Sequence, residues 1–325
     1  MNLNLTKISF FIMLIFSVLL TISSSNWISM WMGLELNLFT IIPILNFKLS
    51  LYSNESSMKY FLIQAFASIL LLIMLINKSM FFLINSNFML IIPLLIKLSL
   101  MPFHLWLPSL IEGLNWLSCF IMFTWQKISP MILISYLNMN NNIMFLISLI
   151  LINSFMGMNQ NSIRKILAFS SINNSTWMLM AILMNENLWM NYFLIYSILN
   201  FFIINILEKY KINYINQMKF FNLNMFFKLN MFLLILSIMG LPPMLGFLMK
   251  WMLIKMMIYN KMYLILMMLI MLTILNLYFY LKMIYFLLFN FNLFNKWFLQ
   301  NKKKNNFNLL MFMNFFSLFF NFLFY

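Results

Sequence analysis

Long runs of apolar residues, separated by short clusters of Asn, Ser and Lys, fill most of the chain. Runs of this length are typical of transmembrane helices, because a helix needs about 20 apolar residues to cross the core of a bilayer. We expect an all-α polytopic membrane protein, a single transmembrane domain over residues 1–325 with a loop at 290–308. The eleven predicted spans, with boundary errors of about three residues, are 8–23, 27–46, 59–77, 80–100, 115–137, 143–158, 166–184, 188–207, 231–254, 262–286 and 307–324.

Two segments allow a second interpretation. Residues 101–114 could form a re-entrant segment instead of a simple loop. The first span follows Lys7 and precedes a run of three serines, as a secretory signal peptide would, but no A-x-A-like cleavage site comes after it. The missing cleavage site favours a retained span over a signal peptide.

Basic residues divide unequally between the two ends of these spans. With eleven spans, the N-terminus and every second loop share one face, where basic residues should collect if the chain was inserted from that side. The opposite face has Lys78, Lys255 and Lys261 only. The basic face holds Lys7, Lys48, Lys59, Arg164, Lys165, Lys209, Lys211, Lys219, Lys228, Lys282, Lys296, Lys302, Lys303 and Lys304. In a mitochondrion this is the matrix side, so we predict the N-terminus there.

Composition narrows the chemistry. Of the residues, 64% are hydrophobic and 8% are charged, so no sizeable water-soluble domain is expected. One Cys, one His and no Asp cannot supply the ligands of an iron–sulfur cluster or of a doubly ligated haem, and the five glycines form no nucleotide-binding motif. We expect no redox cofactor in this chain. The net charge of +15 indicates contact with anionic lipid, such as cardiolipin, and not nucleic-acid binding.

The abundant residues also indicate an origin. Phe, Met, Asn, Ile, Leu and Lys crowd out Val, Ala, Gly and Arg, and the abundant group has codons rich in A and T. This bias suits a small organellar genome, and an AT-rich bacterium is the alternative source.

Four charged residues fall inside or close to apolar spans, namely Glu35, Lys97, Lys127 and Lys250. A charge at membrane depth costs at least about 2.5 to 3.5 kcal/mol on insertion scales, so such residues are functional candidates. Burial favours a neutral amine and a neighbouring carboxylate favours an ammonium, which lets a buried Lys act as a proton carrier. The plainer alternatives are a neutral, hydrogen-bonded Glu and lysines that snorkel to the interface.

Helix breakers accompany each of these lysines. Prolines at 93, 102 and 108 surround Lys97 and His104, Pro130 follows Lys127, and a Gly-Leu-Pro-Pro segment precedes Lys250. Proline frees backbone carbonyls, which in a membrane must face protein or a wet cavity. We therefore predict a hydrated ion site, with His104 as a further member; the alternative for His104 is a satisfied packing residue at the break.

Five motifs in order resemble the mitochondrial NADH dehydrogenase subunit 2 family, the antiporter-like membrane subunit of respiratory complex I, in an arthropod form. The resemblance covers nearly the whole chain. It depends on residues 31–37 (WMGLELN), 97–106 with its PFHLW core, 124–130 (TWQKISP), Arg164-Lys165 followed by 168–173 (AFSSIN), and 240–247 followed by Lys250-Trp251.

This resemblance implies a fold and a role. The fold would be an antiporter-like bundle of two inverted repeats with broken helices. Glu35 and Lys97 would be the paired switch, Lys127 the central relay and Lys250 the group near the exit of a proton path. NADH, FMN, iron–sulfur clusters and ubiquinone would bind other subunits, and the partners would be the other membrane subunits of complex I in the mitochondrial inner membrane.

One departure from the family pattern stands out. Where the family commonly has Ser-Ser-Ile-x-His-x-Gly-Trp-Met, this chain has Asn174 in place of the His and Thr176 in place of the Gly. Asn cannot titrate, so a proton route here would use water held by Asn174 or Ser175, or be less active. We expect the Lys209–Lys228 segment and the 290–308 segment to be solvated faces.

Two other functions remain open from the sequence. An independent monovalent cation/proton antiporter shares the ancestry, and a structural membrane subunit would hold its neighbours without moving protons.

Overall fold

A computed structural model of the chain describes residues 5–47, 50–81, 86–137, 150–184, 186–220, 225–242 and 244–288. Within these ranges the chain is helical, apart from turns, a short 3-10 helix at Ile215–Phe220 and one β-bridge between Ser162 and Tyr214. The helices are α1 (Leu5–Ser23), α2 (Trp27–Leu45), α3 (Leu51–Phe81), α4 (Ser86–Lys97), α5 (Trp106–Ile111), α6 (Trp116–Phe123), α7 (Trp125–Ser135), α8 (Ile150–Met158), α9 (Ile163–Met184), α10 (Glu186–Tyr210), α11 (Met225–Met239), α12 (Leu245–Tyr259) and α13 (Tyr263–Leu288).

Seven apolar helical segments in the described part of the chain are long enough to cross a membrane. They correspond to α1, α2, α3, the α6–α7 pair, α9, α10 and α13. The protein is therefore a multi-pass membrane protein, as predicted. The 307–324 span and the 290–308 loop lie outside the described residues, as does part of the 143–158 span. The number eleven stays a prediction.

Three interruptions between the described helices lie beside the candidate lysines Lys97, Lys127 and Lys250. The chain leaves helix between Lys97 and Trp106, α6 and α7 meet at Thr124, and α11 and α12 are separated by residues 240–244. Two separate helices therefore form where we predicted one interrupted span at 231–254. Gly240 ends α11 with φ +75°, a left-handed conformation that suits glycine.

The helices pack around α9. In its apolar window 89% of the residues are buried, against 22% for α1 and 28% for α3, which leave apolar faces exposed. α9 contacts α5, α7, α8, α10 and α12, and the α1–α2 hairpin packs beside α3. The centre of the bundle is unusual because α9 places Ser, Asn and Thr side chains there, at positions 170–171 and 173–176.

Ionic contacts gather at one end of the bundle. Lys165 and Glu112 pair at 2.6 Å, Lys59 and Glu55 at 2.5 Å, and Lys282 donates to Asn161 at 2.8 Å. A cavity of about 590 Å³ at this end is lined by Glu55, Lys59, Glu112 and Arg164, among other residues. Lys59, Arg164, Lys165 and Lys282, which we predicted on one face, thus lie at the same end of the bundle.

Candidate functional site: a row of buried charges and amides

Glu35 lies on α2, half-buried, two residues before the buried Asn37. Gly33 lets α2 approach α1 at this level, because a Cβ at residue 33 would lie 2.5 Å from Cγ2 of Thr21. Substituting a larger residue for Gly33 would push the helix that carries Glu35 away from α1. The carboxylate is therefore placed by close helix packing.

Lys97 is the last residue of α4 and is 7% exposed. It interacts electrostatically with Glu35. In the described residues no salt bridge within 4.0 Å joins the two side chains, so they form a loose pair and not a contact ion pair. Its backbone carbonyl accepts a hydrogen bond from Nε2 of Gln64 at 3.4 Å, which ties the end of α4 to α3.

His104 lies in the break between α4 and α5, 3% exposed. The backbone of Pro102 faces the imidazole ring. Neither ring nitrogen forms a hydrogen bond of good geometry with any residue that the structure describes.

Lys127 occupies the first turn of α7, directly after the break at Thr124, and is 3% exposed. Its Nζ donates to the backbone carbonyl of Ser171 on α9 at 2.6 Å. The ammonium lies 5.4 Å from the ring centroid of Tyr196, within the range of a cation–π contact. Lys127 thus reaches the polar centre of the bundle and is not snorkelling to an interface.

A belt of uncharged polar side chains connects the helices that carry these charges. Asn37 on α2 and Gln126 on α7 exchange two amide hydrogen bonds, of 3.0 and 2.9 Å. The hydroxyl of Tyr60 on α3 donates to Oε1 of Gln126 at 3.1 Å. Gln64, one turn further along α3, holds the carbonyl of Lys97. We call Asn37, Tyr60, Gln64 and Gln126 the amide belt.

A second polar group lies where α9, α10 and α13 meet. Tyr192 donates to Oδ1 of Asn174 at 3.0 Å, and Asn173 is hydrogen-bonded to Asn276. The hydroxyl of Tyr196 faces Ser171 and Asn200, and that of Tyr280 faces Ser170 and Tyr196. None of these last contacts reaches hydrogen-bond geometry, so the hydroxyls of Tyr196 and Tyr280 and Nδ2 of Asn200 are buried without partners among the described residues. We call Tyr192, Tyr196, Tyr280, Asn174 and Asn200 the tyrosine group.

Lys250 lies on α12, 7% exposed, and its Nζ donates to the carbonyl of Met239 at the end of α11 at 2.8 Å. The side chain crosses the break directly over Gly240, where a Cβ would come within 2.8 Å of Nζ. A Cβ at Gly246 would lie 1.8 Å from the carbonyl oxygen of Ser237, so α12 also needs glycine to pack on α11.

The structure brings Glu35, Lys97 and Lys127 together through the belt, and it separates Lys250 from them. α9 packs against both α7 and α12 and so lies between Lys127 and Lys250 in the order of contacts. The tyrosine group occupies this intervening region, because Asn174 belongs to α9 and Tyr196 contacts both Ser171 and the Lys127 ammonium.

The sequence analysis missed one buried charge. Lys228, expected on a solvated face, belongs to α11 and is 8% exposed. The expectation was wrong because the predicted span began after Lys228, whereas α11 begins at Met225. The signal was present, since an apolar stretch follows Lys228 directly.

Within the described residues, no group of three or more His, Cys, Asp or Glu side chains could hold a metal ion. The arrangement instead offers carboxyl, amine, imidazole, phenol and amide groups inside an apolar bundle. Such groups can hold and exchange protons or bind water.

Comparisons with known proteins show the family of the chain. The family described as NADH:quinone oxidoreductase/Mrp antiporter, TM, matches residues 24–276. NADH-ubiquinone oxidoreductase chain 2 of Anopheles gambiae is 47% identical over 262 residues, which are 76% of this chain and 75% of that protein. Its counterpart in Aedes aegypti is 46% identical over 322 residues, covering 95% and 94%. This chain belongs to the NADH-ubiquinone oxidoreductase chain 2 family.

Solved structures support the fold of the family at lower identity. A chain of respiratory complex I from Thermus thermophilus superposes with a TM-score of 0.78 at 19% identity, covering 86% of this chain and 69% of that one. A chain of the Mrp complex from a Dietzia species gives 0.75 at 16% identity, covering 84% and 59%. This chain thus shares its fold with chains of these two membrane complexes.

Proposed function

We propose that this chain is a core membrane subunit of the proton-pumping NADH:ubiquinone oxidoreductase and contributes a proton path through Glu35, Lys97, Lys127 and Lys250. One observation carries the proposal. Three lysines are at least 93% buried in a membrane bundle, each beside a helix break, and among the described residues none is within 4.0 Å of a carboxylate. A purely structural bundle gains nothing from such groups, since each buried charge is costly.

We propose that transfer follows the order of helix contacts in the bundle. Glu35 and Lys97 come first, because they are the carboxyl and the amine whose charges act on each other. Lys127 is the next amine, held on the carbonyl of Ser171 and facing the tyrosine group. Lys250, held on the carbonyl of Met239, is the last. His104, whose ring nitrogens have no hydrogen-bond partner among the described residues, is a candidate for proton exchange near Lys97.

Several parts of this proposal concern the surroundings of the chain. The relatives are named as chains of NADH-ubiquinone oxidoreductase, and the solved neighbours are chains of membrane complexes, which supports assembly with other membrane subunits, including antiporter-like ones. NADH, FMN, iron–sulfur clusters and ubiquinone would bind those other subunits. We place the complex in the mitochondrial inner membrane, with the N-terminus and the basic end on the matrix side, next to anionic lipid such as cardiolipin.

We also propose the inverted-repeat architecture with eleven spans. The breaks beside Lys97 and Lys250 are of the kind that transporter repeats place at an ion site near the midplane of the membrane. The predicted span at 307–324 would complete the bundle.

The test is Lys127→Ala in the assembled complex, purified and reconstituted into sealed vesicles. We expect NADH oxidation to lose most of its coupled proton uptake, measured with a pH-sensitive dye as protons moved per NADH. The matched control is Lys59→Gln, which removes an exposed lysine paired with Glu55 and should leave this ratio unchanged.

Unchanged coupling in both Lys127→Ala and Glu35→Gln, with normal assembly, would mean a structural subunit without a proton path. Sodium movement driven by a pH gradient in vesicles containing the chain alone would favour an antiporter instead.

A further inference from the structure

The amide belt links the helices of the proposed path without a titratable side chain in its central pair. Gln126 uses Oε1 for two hydrogen bonds, from Asn37 and Tyr60, and Nε2 for a third, to Oδ1 of Asn37. Amides keep their protons at physiological pH, and the carbonyl oxygen of Gln126 has both lone pairs occupied. The pair therefore passes no proton itself.

The pair stands directly beside two members of the path. Asn37 follows Glu35 by two residues on α2, and Gln126 immediately precedes Lys127 on α7. Any shift of α2 relative to α7 at this level must break or stretch the exchanged amide bonds. We propose that the Asn37–Gln126 pair, held by Tyr60, is a positioning element that fixes Glu35 relative to Lys127, so that a change at one is felt at the other.

The environment of the pair makes this role specific. Asn37 is 4% exposed and Tyr60 is 2% exposed, while Gln126 is partly buried, so water has limited access to compete for their hydrogen bonds. Tyr60 and Gln64 lie one turn apart on α3, and Gln64 holds the carbonyl of Lys97. The belt thus connects α2, α7 and the end of α4 to one face of α3. Neither Asn37 nor Gln126 touches the transferred proton, and both act through the charged residues next to them.

The experiment exploits the different lengths of the two amides. Asn37→Gln makes the cross-helix connection one methylene too long, and Gln126→Asn makes it one too short. The double variant Asn37→Gln/Gln126→Asn restores the original total reach with the same chemical groups. All three are made in the assembled complex in sealed vesicles, with Gln160→Asn as a control that shortens an amide at the polar end of the bundle.

We expect each single variant to lower the rate of coupled proton uptake about tenfold, because a misplacement of about 1 Å can cost up to about a hundredfold. The double variant should return to within about twofold of the parent, a strong non-additive coupling. The pH profile of uptake should shift in the single variants, since the distance between Glu35 and the lysines changes, and should return in the double variant.

Three results would overturn the proposal: single variants that transport at the parental rate, a double variant with the summed defect of the singles, or rates lowered by one factor at every pH, as a loss of assembled complex would give. The proposal depends on the proposed function, and Lys127→Ala in the same vesicles separates the two. If Lys127→Ala blocks uptake while the belt variants do not, only the positioning role fails. If Lys127→Ala has no effect, the proton path itself fails.

Discussion

The amide belt and the tyrosine group both lie within the helix bundle and consist of uncharged polar side chains, yet they differ in how their hydrogen bonds are satisfied. In the belt, Asn37 and Gln126 hydrogen-bond to each other through both amide groups, and Tyr60 donates a third hydrogen bond to Gln126. In the tyrosine group, the hydroxyls of Tyr196 and Tyr280 approach neighbours without forming hydrogen bonds within the described chain.

This difference separates two tasks. Polar groups that are hydrogen-bonded to one another resist rearrangement, because a shift breaks bonds that an apolar bundle does not replace. Unsatisfied buried hydroxyls are costly as they stand and gain from a new partner, such as a bound water or a proton carrier. On the proposed path, the belt would hold Glu35 and Lys97 in place, and the tyrosine group would serve exchange between Lys127 and Lys250.

Gln126→Leu changes the amide belt and should have the largest effect on stability. It removes three cross-helix hydrogen bonds, each worth about 0.6 kcal/mol on average and up to about 1.7 kcal/mol in a membrane protein, so the loss is roughly 2 to 5 kcal/mol. We expect a clear fall in the thermal stability of the assembled complex, measured as retained NADH:quinone activity after heating. A stability equal to that of the parent would contradict the expectation that the hydrogen bonds of the belt stabilise the complex.

Gly240→Ala should have the next largest effect and acts at the far end of the second region. A non-glycine residue at φ +75° costs roughly 1 kcal/mol or more, and the new Cβ would lie 2.8 Å from Nζ of Lys250. The ammonium must leave the carbonyl of Met239, so coupled proton uptake should fall severalfold while the complex still assembles.

The measurement is protons moved per NADH in vesicles, compared with Gly157→Ala. The nearest atom to a Cβ at Gly157 is a side-chain carbon of Phe279 at 3.2 Å, and no lysine is within reach. Equal coupling in the two variants would show that the placement of Lys250 over the break is unimportant.

The sequence was sufficient to find the charges but not their partners. Lys97, Lys127 and Lys250 stand out because each interrupts an apolar run, and Pro and Gly predict the breaks beside them. The carbonyl ligands of Lys127 and Lys250 could not be predicted, since a backbone group leaves no mark in the sequence. The environment of Lys228 was predicted wrongly because its helix begins at Met225, earlier than the apolar run after Lys228 suggests.

The amide belt illustrates a second limit. Asn37, Tyr60, Gln64 and Gln126 are uncharged, and three helices contribute them. Each polar residue taken alone is ordinary in a helix, and its pairing depends on how α2, α3 and α7 pack. For this reason Gln126 appeared in the sequence only as the neighbour of Lys127 within a motif.

Tyr196→Phe tests the tyrosine group and should have a smaller effect. Its effect on stability should be opposite in sign to that of Gln126→Leu. Phe keeps the ring against the Lys127 ammonium and removes only a hydroxyl that has no partner in the described residues. We expect stability to be unchanged or slightly higher and coupled proton uptake to fall severalfold. Tyr60→Phe is the matched control, because its hydroxyl is bonded to Gln126 and its loss should reduce stability. Equal effects of the two variants on stability would remove the distinction between the regions.

Asn174→His should have the smallest effect and places a titratable group within the tyrosine group, where the family commonly has one. Oδ1 of Asn174 accepts a hydrogen bond from Tyr192 at 3.0 Å, and a neutral imidazole nitrogen can accept the same bond. Histidine ordinarily titrates near pH 6.5, so uptake by the variant should depend on pH between about 6 and 7.5 more steeply than uptake by the parent. Asn174→Gln, which keeps an amide, should leave the profile unchanged. If Asn174→His also leaves the profile unchanged, protons do not pass position 174, and exchange between Lys127 and Lys250 runs along the Tyr196 and Tyr280 side of the group.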